Sequence, residues 1–212
     1  MNRLEQELAR LKRRVLDMGA LAESMVTDSW HAVARRDPAC RTRVVANEPT
    51  LDRFQVEIDR EAVRLIAVFA PVARDLRFLL MIARITSELE RMGDQAVDNC
   101  EYVDLIGDTP PTGDLAALAD FVRRMVHEAI QAFTAEDPRQ AAAVMQLDAR
   151  VDALYAQVFH DVLERVPGDH RAGSTGLILL ARSLERIADH ATNVCEEIFY
   201  LVEGADIRHQ TV

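Results

Sequence analysis

"LERMGDQAVDNCE", residues 89–101, places Glu90, Asp94, Asp98 and Glu101 at steps of four, four and three, the pitch of an α-helix. At about 100° per residue these carboxylates fall within an arc of roughly 80°. Ile85, Leu89, Met92, Ala96 and Val103 gather on roughly the opposite side. The stretch therefore reads as an amphipathic helix with its apolar stripe toward a bundle core and an acidic row facing outward. A second stretch, "LERIADHATNVCE" at 184–196, repeats the pattern with Glu185, Asp189 and Glu196.

Aligning Glu90 with Glu185 gives a shift of 95 residues that also matches leucine, arginine, alanine and cysteine positions. Upstream, "RRDPACRTRVVANEPTLD" at 35–52 and "AEDPRQAAAVMQLDARVD" at 135–152 share an Asp-Pro turn and a closing acid-x-x-x-Asp at a shift of 100. A repeat of this length implies two domain-sized halves rather than a solenoid of short units. Proline and glycine punctuation predicts three helices in each half. In the first they run from about Arg3 to Arg36, Ala39 to Phe69 and Val72 to Ile106. In the second they cover about 114–135, 138–166 and 175–203, the last ending at Gly204. The expectation is an all-α chain of two tandem antiparallel three-helix bundles, residues 1–107 and 114–212, joined by a linker at 108–113 within "GDTPPTGD". Pro49 either starts a helix capped by Glu48 or kinks a longer one; both leave Glu48 and Asp52 about one turn apart.

Composition agrees with helices. Hydrophobic residues make up 49% of the chain and aromatic residues only 5%, with 8 glycines and 7 prolines in 212 residues, so the core is aliphatic and there is little strand signal. The formal net charge of -10 argues against nucleic acid as the main partner and for cations or basic protein surfaces. The longest apolar runs, "FLLMIA" at 78–83 and "LILLA" at 177–181, are far too short to span a bilayer, and the N-terminus lacks an apolar signal core. A cytoplasmic location is expected. Cys40, Cys100 and Cys195 form no Cys-x-x-Cys pair, which indicates neither a disulfide framework nor a thiolate zinc site and favours buried core thiols. Trp30 on the first helix reads as core, with an oligomer contact as the alternative.

A solvated face is the ordinary reading of a helical charge run. Three features count against it. Acids at i, i+4 repel by a few tenths of a kcal/mol per pair, yet Arg91 and Arg186 point to the side rather than into the row. The acid-x-x-x-Asp spacing recurs on the preceding helix of each half, as Glu48 with Asp52 and Asp148 with Asp152. The whole arrangement is also duplicated. If neighbouring helices share a groove, each half offers four carboxylates to a cation or cluster. Oxygen-only ligands suit Mg²⁺, Mn²⁺, Ca²⁺ or iron, and crowded carboxylates need a cation to be jointly ionised.

On "PVARDLRFLLMIARITSELERMGD" at 71–94 and "ARSLERIADHATNVCEEIFYLVEG" at 181–204 the sequence resembles the PhoU family of phosphate-signalling regulators, over essentially the whole chain. The resemblance implies paired three-helix bundles carrying multinuclear metal sites, with Mg, Mn, Fe or Zn as candidate ions. The matching positions are Glu48, Asp52, Glu90 and Asp94 in one half and Asp148, Asp152, Glu185 and Asp189 in the other. Asp98 extends the first site, and Asn193, a weaker neutral oxygen ligand, replaces it in the second. The family's glycine before the last aspartate is Gly93 in the first copy but Ala188 in the second.

The resemblance further implies a cytoplasmic adaptor without catalysis. Such an adaptor couples a phosphate ABC transporter, through its ATPase subunit, to a sensor histidine kinase and keeps the phosphate-starvation regulon off. It would associate peripherally with membrane complexes, with a homodimer as a candidate assembly. Relatives that attend sodium-phosphate cotransport or antibiotic persistence are not separated from this branch.

Other readings are weaker. A ferritin-like di-iron enzyme needs Glu-x-x-His, a spacing no glutamate of the chain supplies. The six histidines form no metal-ligand spacing, and His190 is rotated about 100° from Asp189; a flanking role suits it better than ligation. "GDHRAGST" at 168–175 imitates a phosphate loop but lacks its lysine and strand, so it reads as an interhelical loop. A metal-dependent phosphohydrolase lacks an evident general base. A metal-independent acidic docking module is the alternative from another class. Arg74, Asp75 and Arg77 suit either a docking surface or local capping and salt bridging.

Overall fold

The computed structural model describes residues 2–164 and 171–205. Seven helices are found among them: α1 Arg3–Ala34, α2 Pro38–Phe69, α3 Ala73–Ile106, α4 Gly113–Ala135, α5 Pro138–Met145, α6 Asp148–Glu164 and α7 Arg171–Glu203.

The boundaries follow from local chemistry. Each Asp-Pro turn is a helix start: Asp37 caps α2 by accepting from the Ala39 amide at 2.9 Å, and Asp137 caps α5 by accepting from Arg139 at 2.9 Å. Pro38 and Pro138 stand at the first helical position, where the missing N–H has no partner to lose. α2 stops in the left-handed Ala70 before Pro71, and Gly204, at φ +71°, ends α7.

Pro49 lies within continuous α2, the longer-helix alternative, with its side chain exposed to solvent. Two expectations need correction. The helix expected over 138–166 is instead interrupted at Gln146 and Leu147. There the Leu147 amide bonds to the Val144 carbonyl at 2.9 Å, three residues back, so the last turn of α5 tightens and releases the chain. Asp148 thus opens α6, where the helix dipole favours its negative charge; its counterpart Glu48 sits in mid-helix. Finally, α7 begins four residues before the expected 175. Residues 171–175 of the suspected loop are therefore helical, while 165–170, including His170, lie outside the described residues, as does His209.

α1, α2 and α3 pack mutually into one bundle, and α4 with the α5–α6 pair and α7 into the other; α3 and α7 make the most extensive contact in the molecule. The core is aliphatic as expected. Ile85, Leu89, Met92 and Ala96 are buried, whereas Val103 is only partly so. Trp30, Cys40, Cys100 and Cys195 are all buried.

The α3–α7 seam is antiparallel and polar at its heart. Glu88 Oε2 meets His190 Nδ1 at 2.8 Å and accepts from Asn193 Nδ2 at 3.1 Å. Farther along, Ser183 Oγ donates to the Gln95 carbonyl at 3.2 Å. At the 95-residue shift Glu88 corresponds to Ser183 and Gln95 to His190, so these are the same contact made twice about a local two-fold. A second tie joins the halves: Glu136 of the α4–α5 corner takes Lys12 at 2.7 Å and also pairs with Arg74. Arg74 thus has a structural partner across the bundles.

Candidate metal centres

The first centre lies between α2 and α3. Glu48 and Asp52 project from one helix and Glu90, Asp94 and Asp98 from the next. Oxygen atoms of Asp52, Glu90 and Asp94 come within 4.8 Å of one another. Among the described residues none of these three has an ion-pair or hydrogen-bond partner. Burial, followed by the charges of Asp94 and Asp52, raises the Glu90 carboxyl above its ordinary value. Burial followed by Asp52 and Asp98 does the same to Asp94. Glu48 is raised by burial, Asp52 and Asp94. Asp98 is raised by burial and by Glu101, and it accepts from Gln95 Nε2 at 3.2 Å, which ties it more loosely to the group. Unbalanced negative charge of this kind is what a bound cation removes.

Part of this convergence rests on Gly93. A β-carbon there would stand 2.1 Å from Leu51 Cδ2, so glycine admits the Leu51 side chain, one residue before Asp52, against α3.

The second centre uses the same motif with different company. Asp148 is raised by burial and by the charges of Asp152 and Asp189. Glu185 is raised by burial, with Asp189, Asp152 and Asp148 contributing. Burial also raises Asp189, opposed by His190 and Arg182. The four acids therefore share one electrostatic neighbourhood, yet among the described residues no three of their oxygens converge as in the first centre. Arg182 Nη1 bonds Glu185 Oε1 at 2.6 Å. The other oxygen, Oε2, is buried without a hydrogen-bond partner, an acceptor held ready for a donor or a cation. Asn193 gives its amide nitrogen to Glu88 at the seam, a bond that does not use its Oδ1. At the 95-residue shift Arg182 falls on Ser87, which is why the first centre has no such counter-ion.

A third grouping is only half marked by sequence spacing. Asp28, His31 and Cys40 place one ligand atom each within 4.8 Å of one another. Burial and Arg35 hold His31 below its ordinary value, and burial with the Asp37 bond holds the Cys40 thiol above its own. Asp28-x-x-His31 on one helix face was the available signal; Cys40 reaches it only because the α1–α2 corner folds back.

A family model described as the PhoU domain matches the chain twice, over residues 15–103 and 115–198. A phosphate-specific transport system accessory protein PhoU homolog of Caulobacter vibrioides is 36% identical over 97% of this chain and 92% of its own length. The Serratia marcescens protein named phosphate-specific transport system accessory protein PhoU is 35% identical over 96% and 86%. Among solved structures, PhoU from Pseudomonas aeruginosa superposes with a TM-score of 0.89 at 31% identity, covering 96% of this chain and 100% of that one. The phosphate transport system regulatory protein PhoU from Streptococcus pneumoniae, at 24% identity, shares the fold with a TM-score of 0.88 over 96% and 99%.

Proposed function

The chain belongs to the PhoU family, and from that premise we propose that it is a metal-binding adaptor that negatively regulates phosphate uptake and the phosphate-starvation regulon. It would do so by coupling the phosphate ABC transporter to a sensor histidine kinase. A role in regulating phosphate transport agrees with the names of its relatives, and the family is one of accessory proteins rather than a known enzyme family. No helix among the described residues is long and apolar enough to cross a membrane, which suits a cytoplasmic adaptor docking on membrane complexes. The single observation that carries the metal reading is the approach of Asp52, Glu90 and Asp94 oxygens within 4.8 Å, with no ion pair to any of the three among the described residues.

The donor set fits hard cations: carboxylate oxygens on two helices, adaptable in position, at a half-exposed groove. In the first centre Glu48, Asp52, Glu90, Asp94 and Asp98 would hold the ions; in the second, Asp148, Asp152, Glu185 and Asp189 would, with Glu185 Oε2 in waiting. When bound, the metal supplies positive charge that lets adjacent carboxylates ionise together. The protein's own contribution is to tie α2 to α3 and α6 to α7, so that both acidic faces become rigid and charge-balanced. Both centres stand on the helices that form the α3–α7 seam, which gives the bundles a direct mechanical link. The resulting surface recognises the kinase and the transporter's ATPase subunit.

The test is a binding assay between the purified chain and each of those two partners, with and without chelator. Partner binding that falls with chelation and in the Glu90→Gln, Asp94→Asn variant supports the adaptor. Full binding by metal-free protein would return the stripes to electrostatic docking.

A further inference from the structure

We propose that Asp28, His31 and Cys40 form a transition-metal site, separate from the carboxylate centres, which takes Zn²⁺ in exchange for the Arg43 guanidinium and the Cys40 thiol proton.

Asp28 and His31 lie three residues apart near the end of α1, on one face of the helix, and Cys40 lies in the first turn of α2. Between them runs the corner in which Arg36 adopts φ +53°. Their ligand atoms already lie within 4.8 Å of one another. Closing on a zinc ion with bonds of about 2.0–2.3 Å therefore needs side-chain adjustment rather than backbone rearrangement. A fourth donor is at hand, because Cys40 Sγ contacts Asp37 Oδ2 at 3.2 Å.

The independent observation is what now sits among these donors. The Arg43 guanidinium contacts both Asp28 oxygens at 2.8 Å and Cys40 Sγ at 3.0 Å. A cation already spans the carboxylate and the sulfur. Arg43 is 52% exposed while the Asp28 side chain is only 15% exposed, and Cys40 is 3% exposed. Arg43 can thus swing into solvent, but Asp28 left alone would be poorly hydrated, so the leaving guanidinium must be replaced by another cation. On binding, the Cys40 S–H bond breaks, the sulfur forms a bond to zinc, and one proton passes to solvent.

The donor chemistry separates this site from the acidic grooves. One sulfur, one imidazole nitrogen and one or two carboxylate oxygens favour Zn²⁺ or Co²⁺ over Mg²⁺ and Ca²⁺, which the all-oxygen centres suit. An ion here would clip the end of α1 to the start of α2.

Co²⁺ is the probe. Metal-stripped full-length protein titrated with Co²⁺ is expected to develop thiolate-to-cobalt charge-transfer absorption that saturates at one equivalent and is displaced by Zn²⁺. Cys40→Ser should abolish the band and His31→Ala should weaken binding. Arg43→Gln, on a solvent-exposed side chain, should tighten binding by about tenfold by removing the competing bidentate pair. The band should persist when Glu90, Asp94, Glu185 and Asp189 are neutralised together, so the outcome is independent of the carboxylate centres. Absence of the band from both the wild type and Arg43→Gln, or its survival in Cys40→Ser, overturns the assignment.

Discussion

The two halves carry one motif in two electrostatic settings. In the first, Asp52, Glu90 and Asp94 converge within 4.8 Å, a glycine lets Leu51 press against α3, and the helix turn behind Glu90 offers Ser87. In the second, a methyl replaces the glycine at Ala188, fully buried, and Arg182 already holds Glu185 at 2.6 Å. The fifth carboxylate, Asp98, becomes Asn193, whose amide nitrogen bonds at the seam. Duplication preserved the ligand spacing and let the counter-charge diverge. The first centre should therefore bind metal more tightly, and the second should exchange a built-in guanidinium for the ion.

The largest effect should come from exchanging the small residues. Gly93→Ala drives a β-carbon against buried Leu51, and overpacking of this kind costs about 1–3 kcal/mol. It should also push Asp52 away from Glu90 and Asp94, so thermal stability and first-centre metal fall together. The mirror change, Ala188→Gly, introduces only helix-propensity and cavity losses of about 1 kcal/mol, read by the same melting experiment. If both variants lose stability equally with metal unaffected, the glycine has no part in the convergence.

Next is the counter-ion. Arg182→Ser, which copies Ser87, frees Glu185 and should tighten the second centre by about tenfold, the scale of one charge-assisted bond. Ser87→Arg should weaken the first centre comparably. Mn²⁺ titration of each variant separates the centres, and unchanged affinities would show that Arg182 is a bystander.

The smallest effect is on pH dependence. Burial and neighbouring acids raise Asp94 above its ordinary 3.8 and Glu90 above 4.5. A raised carboxyl binds protons more tightly folded than unfolded, so its stabilising contribution is complete below those ordinary values and is lost as pH rises through the folded value. Asp28, lowered by Arg43, and Glu88, whose burial is outweighed by its bonds to His190 and Asn193, oppose that slope. The difference between wild type and Asp94→Asn isolates the effect. In chelator the variant should gain about 1–3 °C relative to wild type between acid and neutral pH, a modest figure because Asp94 is exposed and screened. Saturating Mn²⁺ should cancel or reverse the gain; a difference that does not vary with pH would deny the repulsion.

Much of this was legible in the chain. Asp37-Pro38, Asp137-Pro138, Pro71 and Gly204 announce helix ends by what their backbones permit, and the row of Glu90, Asp94 and Asp98 needs only the helical period. What was not legible depends on contacts between distant positions. The break at Gln146 and Leu147 has no proline or glycine to mark it, while Pro49 lies inside the expected helix over 39–69 and is tolerated there on an exposed face. Glu88, His190 and Asn193 are partners across roughly a hundred residues, and the repeat shows the place of Asn193 beside the acids but not its seam partner. Arg182 stands a turn before Glu185 and could have been seen, had the repeat been read for its counter-charges as well as its acids. Cys40 meets Asp28 and His31 through a corner whose direction no periodicity specifies.

The most direct measurement is elemental analysis of protein purified without chelator or affinity-metal resin, comparing wild type with Glu90→Gln, Asp94→Asn and with Glu185→Gln, Asp189→Asn. The account predicts metal in the wild type, with each variant losing the share of its own half and retaining the other, the first-half variant losing the more tightly held portion. Wild-type protein without carboxylate-bound metal, or metal content unmoved by either pair of substitutions, would contradict it.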